Sequence, residues 1–207
     1  MKYSEVVPFI RPEVAGAPDF LIERMVRDIC IDFCQRTDVY LAEPEDIFIV
    51  DGVSEYDVSI PSGTELNHIL DVYDNRTLLK PIGYSKLLQI LGNESVKGRP
   101  KYYSMRDNNM FYVGPLPDAS YTFRALFSLK PSSTSTSIPN TVGRENRPTI
   151  VKGVLARMQS MNGQPWTSLN MAQINYQGYE KEVGRIHRES KYGFAGGALT
   201  AKYREFV

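Results

Sequence analysis

Two histidines, two cysteines and one tryptophan in 207 residues leave little material for metal or nucleophile chemistry. His68 and His187 have no cysteine or carboxylate at a metal-ligand spacing, so each reads as a structural or surface residue. The chain has no G-x-S-x-G elbow, no phosphate-binding P-loop and no H-E-x-x-H run. Gly193 to Gly197 is rich in glycine, but no strand pattern precedes it and no helix pattern follows, which argues against a phosphate cradle. Carboxylates gather at Glu43, Glu45 and Asp46 around Pro44. A solvated loop explains them without the cleft and separated pKa values that a catalytic pair requires. The chain therefore reads as non-enzymatic, with no cofactor and no metal.

Net charge is absent too: 24 Lys and Arg balance 24 Asp and Glu. Bulk charge thus gives no attraction to nucleic acid or to a membrane surface. No apolar run approaches the roughly 18 residues of a membrane span, and Met1 leads into no secretory apolar stretch. A protein made and used in a cytoplasm is expected. Cys30 and Cys34, four apart in a helical pattern, share a face and cannot readily bridge across one turn. Buried thiols in a reducing compartment fit them.

What remains is ordinary globular material, 42% hydrophobic and 23% charged. At this length a folded chain buries roughly 70% of the surface it exposes when unfolded, enough for a real core. The charges are unevenly spread. Residues 1–50 hold five basic groups against ten acidic ones, and residues 144–207 hold ten basic against five acidic. Two explanations stay open: neighbouring copies in an assembly attract each other, or the two ends pack together within one chain.

Hydrophobic period divides the chain. Ser4 is a candidate cap for a short helix interrupted by Pro8 and closed by Pro12. Leu21, Met25, Ile29 and Phe33 repeat every four residues after Pro18 and Asp19, with Ile22, Val26 and Cys30 widening the stripe. That spacing predicts an amphipathic helix to about Gln35 or Arg36. From Asp46 the period becomes two. Ile47 to Val50, the turn Asp51-Gly52, then Tyr56, Val58 and Ile60 read as a hairpin or two linked strands. Leu66 to Val72 is a strand, turned by Asp74-Asn75 into Thr77 to Leu79, and Tyr84 to Leu91 is a short helix ended by Gly92. Tyr102 to Met105 and Met110 to Val113 make a hairpin. Tyr121, Phe123, Ala125 and Phe127 alternate in a longer strand.

The Ser/Thr tract Ser132 to Ser137 reads as a flexible connection with little to bury. Pro148 opens a helix through Ile150, Val154 and Met158. Pro165-Trp166-Thr167 begins another, carried by Leu169, Ile174, Tyr176, Val183 and Ile186 to about Ser190. The expected class is α+β: N- and C-terminal helices packed as a bundle, an inserted small antiparallel β region, and an extended C-terminal tail. The division is 1–45 helices, 46–131 β region with a short helix, 132–143 flexible connection, 144–190 helices and 191–207 tail.

Aromatics on the strands (Tyr102, Tyr103, Phe111, Tyr112, Tyr121, Phe123) have only Lys101, Arg106 and Arg124 near them. They fit a covered sheet or an interface better than a base-stacking platform. The tail joins apolar anchors to basic groups and glycines, a composition suited to folding onto a partner.

An ordered series of short motifs resembles the head-to-tail adaptor (connector) proteins of tailed bacteriophages. It runs from Val7-Pro8 and Gly16-Ala17-Pro18, through the helix ending Asp32-Phe33-Cys34-Gln35-Arg36-Thr37, to Tyr56-Asp57-Val58-Ser59-Ile60-Pro61-Ser62-Gly63-Thr64-Glu65. Arg99-Pro100-Lys101-Tyr102-Tyr103, Val113-Gly114-Pro115-Leu116-Pro117-Asp118-Ala119 and Gly163-Gln164-Pro165-Trp166 continue it. The resemblance implies a structural protein of the virion, assembled in the host cytoplasm as a ring, usually of twelve copies, beneath the portal. Helices would make subunit contacts, residues 46–130 would face tail or nozzle proteins, and DNA passing through would meet the ring non-specifically. Lys191, Tyr192, Phe194, Leu199, Lys202, Tyr203, Arg204, Phe206 and Val207 would grip the portal. A small soluble binding or regulatory protein that recognises nucleic acid is the alternative.

Overall fold

A computed structural model describes residues 1–42, 46–74, 77–92, 97–106 and 109–192. Among these the chain is mixed α+β, with six α-helices and two four-stranded sheets. The helices are α1 (Val7–Ile10), α2 (Asp19–Thr37), α3 (Tyr84–Leu91), α4 (Asn140–Gly143), α5 (Arg147–Gln159) and α6 (Leu169–Tyr192). The strands are β1 (Leu41–Ala42), β2 (Ile47–Ile49), β3 (Glu55–Asp57), β4 (Thr64–Tyr73), β5 (Lys80–Pro81), β6 (Tyr102–Met105), β7 (Met110–Gly114) and β8 (Tyr121–Pro131).

Pro18, in extended backbone, starts α2, and Asp19 sits in its first turn where a negative charge favours the helix dipole. The helix buries Ile22, Val26, Ile29, Cys30, Phe33 and Cys34. These meet Ile150, Val154 and Met158 of α5 and Tyr179, Val183 and Ile186 of α6 in one apolar core. Each large side chain fully buried there stabilises the fold by about 1.5–3 kcal/mol. Tyr3, Val6, Ile10 and Val14, on short turns at the start of the chain, close the same core. Gly153 is small where α2, α5 and α6 meet: a Cβ there would lie 2.9 Å from Ile29 Cγ2 and from the Tyr179 ring.

The first and last segments meet within one chain, but their closest ion pair joins a base of the acidic segment to an acid of the basic one, against the bulk asymmetry. Arg36 donates two hydrogen bonds to the Glu180 carboxylate at 2.7 and 2.6 Å, and Tyr179 donates its hydroxyl to Asp32 at 2.7 Å. Arg144 and Glu5 stand 3.8 Å apart.

The tract 132–137 is no loose connection. Tyr3 N–H donates to the Thr136 carbonyl at 3.2 Å, Lys2 bridges Ser137, and the Tyr3 hydroxyl shares a buried hydrogen bond of 2.8 Å with Ser135. Small hydroxyl side chains here satisfy one another and the backbone of the chain's first turn, so the tract packs where composition alone promised nothing. Residues 140–143 of the same stretch form α4.

In the first sheet β8 is central, with β1, β2 and β4 all antiparallel to it. The second runs β3-β7-β6-β5, antiparallel except for β5, which pairs parallel to β6. Of the two readings of the segment across Asp51-Gly52, a hairpin or two linked strands, the structure has the second. Ile47–Ile49 pairs with β8 and Glu55–Asp57 with β7, so the turn carries the chain from one sheet to the other. Gly52, at φ 76°, allows that turn, and its N–H donates to the Pro117 carbonyl. The sheets share a second core containing Ile49, Val72, Leu79, Phe111, Val113, Phe123 and Phe127. Burial alternates along β8 from Tyr121 to Ala125 and then becomes nearly continuous from Phe127 to Leu129, where α2 packs against the strand.

A polar knot joins the two cores. Asp38, just past α2, adopts left-handed backbone at φ 54° and is buried. Its Oδ1 accepts from Ser128 Oγ at 2.8 Å, from Asn67 Nδ2 at 3.1 Å, and lies 3.1 Å from His68 Nε2. Asn67 falls at a register shift of β4 between Leu66 and His68, so the irregularity aims its amide at the helix end.

Candidate docking surfaces

Most large apolar side chains lie in the two cores, and those left outside mark where the chain has surface to give. On the helical part, Phe20 in the first turn of α2 is 75% exposed. Leu169, Met171, Ile174 and Tyr176, along the first half of α6, are exposed as well. Of the residues whose spacing predicts that helix, Leu169, Ile174 and Tyr176 lie on its exposed side. Val183 and Ile186 are buried as part of the same pattern and, with Ala172 and Tyr179, form the buried side of the helix.

Leu169 and Tyr176 flank a groove of about 670 Å³ floored by Gly153, Ala156 and Ala172. Asp32, Arg36 and Glu180 edge it and are already paired with one another or with Tyr179. The Arg36 pairing pulls the Glu180 carboxyl below the usual range, and burial pushes the Tyr179 phenol well up. With Arg157 also in the lining, two bases balance two acids, so the groove is a charge-balanced surface of mixed polar and apolar character, suited to covering by another chain.

On the β part, Phe48 of β2 is 69% exposed, and Val50 and Val53 follow it on the loop towards β3. Asp51 and Asp46 flank them, each held by a cation, Lys97 and Arg124 respectively. Phe20 lies 17 residues along α2 from Thr37, about 26 Å from the helix end beside the knot. Phe48 pairs with Thr122, six residues along β8 from Ser128, about 20 Å from the knot. Each part therefore offers an apolar patch well away from the joint between them.

The chemistry-bearing residues do not converge. Among the described residues, no group of three or more His, Cys, Asp or Glu is placed to hold a metal ion. Cys30 and Cys34 are free and buried; burial pushes the Cys30 thiol up to about 12 and the Cys34 thiol well above its ordinary value. His68 serves the knot. Of the nine residues expected to grip a portal, Lys191 and Tyr192 form the last turn of α6 rather than an extended tail, and Lys191 is exposed. Phe194, Leu199, Lys202, Tyr203, Arg204, Phe206 and Val207 lie outside the described residues.

The model of the SU10 adaptor protein family matches residues 1–200. The chain belongs to the SU10 adaptor family. That is a phage head-to-tail adaptor family, so the resemblance drawn from the motifs holds across nearly the whole chain. No curated protein matches the sequence. For an SU10 adaptor, whose family is structural rather than catalytic, exposed apolar patches on both parts are the features to explain. Phe20 and Phe48 were legible as residues but not as surface. Phe20 precedes the helical stripe by one position, the only sign that it faces outward, while Phe48 alternates with Ile47 and Ile49 in a strand too short to announce which face is buried. No helix among the described residues is long and apolar enough to cross a membrane.

Proposed function

We propose that this SU10 adaptor is a structural ring subunit of the virion. It oligomerises beneath the portal, docks there through its C-terminal segment, and offers its β part as the attachment platform for tail proteins. The family match over residues 1–200 carries the reading. The exposed patches support it: a chain that must meet two different neighbours needs uncovered surface on two different parts. The α2–α5–α6 groove and the apolar first half of α6 are the helical surfaces on which a second copy would pack. A contact between unlike faces of identical chains closes into a ring when the rotation closes, which fits an assembly built around a DNA conduit. The ring is taken as twelve copies, put together in the host cytoplasm.

The docking role of the C-terminal segment is tested by deleting residues 193–207. Both described cores are assembled from residues 1–186, so the shortened chain should keep the circular dichroism spectrum of the parent. The shortened chain should fail to co-purify with its portal. Undiminished co-purification would remove the segment from the portal contact.

A further inference from the structure

At its start α2 forms a cleft of about 570 Å³ against the first residues of the chain. Lys2, Arg24 and Arg27 line it from two separate elements, with Glu23 as the one carboxylate among them. Three cations against one anion leave the cleft positive within a chain of zero net charge. Among the described residues neither Lys2 nor Arg24 forms an ion pair, and the carboxylate nearest Arg27 is Asp28 at 3.9 Å, beyond hydrogen-bond reach. Arg27 Nε is buried without any hydrogen-bond partner. The Arg27 side chain as a whole stays 29% exposed with that donor unmet, so its guanidinium can turn towards an oxyanion held in the cleft. Tyr3 makes one wall and is fixed by its hydrogen bond to Ser135. Phe20 stands on the rim, the most exposed large apolar side chain described.

We propose that this cleft binds a carboxylate-bearing peptide segment of a protein partner, its acid groups meeting Lys2, Arg24 and Arg27 and an apolar side chain covering Phe20. Nucleic acid fits less well on two counts. The site is concave and sized for a few side chains, whereas a duplex presents a broad convex backbone. A phosphate backbone also gives Phe20 nothing apolar to cover it. The inference goes beyond the ring reading and stands whether or not the C-terminal segment is what docks on the portal.

The test is fluorescence anisotropy on the full chain at low salt, with two labelled probes: the peptide Glu-Phe-Glu-Glu-Phe-Glu and a short DNA duplex. The peptide should bind saturably and weaken as salt rises through the physiological range. The R24Q/R27Q variant should lose about tenfold or more of that affinity, in keeping with loss of charge-assisted hydrogen bonds. F20A should lose about threefold, as expected for losing one partly covered aromatic contact. Arg24 and Phe20 are exposed, so R24Q and F20A should melt like the parent chain and keep the comparison valid even if Arg27→Gln perturbs folding. Absent peptide binding, or binding unchanged in both R24Q and R24Q/R27Q, overturns the site. Tighter binding of the duplex through the same arginines overturns the choice of ligand.

Discussion

Replacing Gly153 by alanine should destabilise the protein, although alanine is the better helix former. Alanine in a helix interior gains about 1 kcal/mol over glycine. At Gly153 the added Cβ would sit 2.9 Å from Ile29 Cγ2 and from Cδ2 and Cε2 of Tyr179. The tyrosine ring has little freedom to retreat: its hydroxyl is bonded to Asp32 at 2.7 Å, and the Arg36 guanidinium lies 5.9 Å over its face. Ile29 is β-branched, buried, and held in mid-helix. Overpacking of this kind costs about 1–3 kcal/mol, so the propensity gain is outweighed and a net loss of about 1 kcal/mol remains. Gly184, within α6, is the control, because a Cβ there meets nothing within 4 Å. Gly184→Ala should therefore stabilise by about 0.5–1 kcal/mol. Urea midpoints and thermal melts measure both; for a chain this size each kcal/mol moves Tm by about 2–4 °C. If G153A proves as stable as G184A, the three-helix junction is looser than its geometry implies and the packing argument fails.

Asp38→Ala removes the acceptor shared by Ser128 and Asn67 and leaves buried donors short of partners, at an expected loss of about 1–3 kcal/mol. D38N, which keeps the shape and tolerates left-handed backbone, should lose less, and a D38A midpoint within about 0.5 kcal/mol of the parent would discount the knot. Alkaline pH should unfold the protein. Tyr3, Tyr179, Cys30 and Cys34 all have folded-state values pushed above their unfolded ones, mainly by burial. Groups raised in this way contribute stability that is fully present below their unfolded pKa values, about 8.5 for thiols and about 10 for phenols. The urea midpoint should hold from pH 7 to about pH 8 and fall beyond about pH 9; a midpoint unchanged at strongly alkaline pH would contradict the burial of these groups. The same burial predicts that neither thiol reacts with a disulfide reagent at neutral pH until denaturant is added, and prompt labelling of the native chain would refute it.

The fold was readable in the sequence where a signal is local and long. α2 announced itself because Ile22, Val26, Ile29 and Phe33 keep a helical stripe over 19 residues between Pro18 and the turn at Asp38. α3 ends at Gly92 as its glycine suggested, and β6 and β7 pair antiparallel as the expected hairpin. What stayed undecided were pairings that no local pattern encodes. Asp51-Gly52 has the composition of a hairpin turn, yet β8 and β7 compete for the flanking strands and each takes one. The parallel pairing of Lys80–Pro81 with Tyr102 and Tyr103 depends on a crossover through α3 that two residues of strand cannot signal. The knot unites Asp38, Asn67 and Ser128, which are 29 and 90 residues apart, and each alone looks like an ordinary polar surface residue. For the docking surfaces, sequence supplied the family and the composition of the C-terminal segment. It did not say which apolar residues stay uncovered, because Phe20, Ile174 and Tyr176 differ from core residues only in the angle at which their helices pack.

Electron microscopy of the full chain mixed with its cognate portal bears most directly on the adaptor reading. Particles should show a closed ring of this chain seated on one face of the portal, with the β part directed away from it. Portal particles that remain bare at saturating concentrations of the chain would contradict that account.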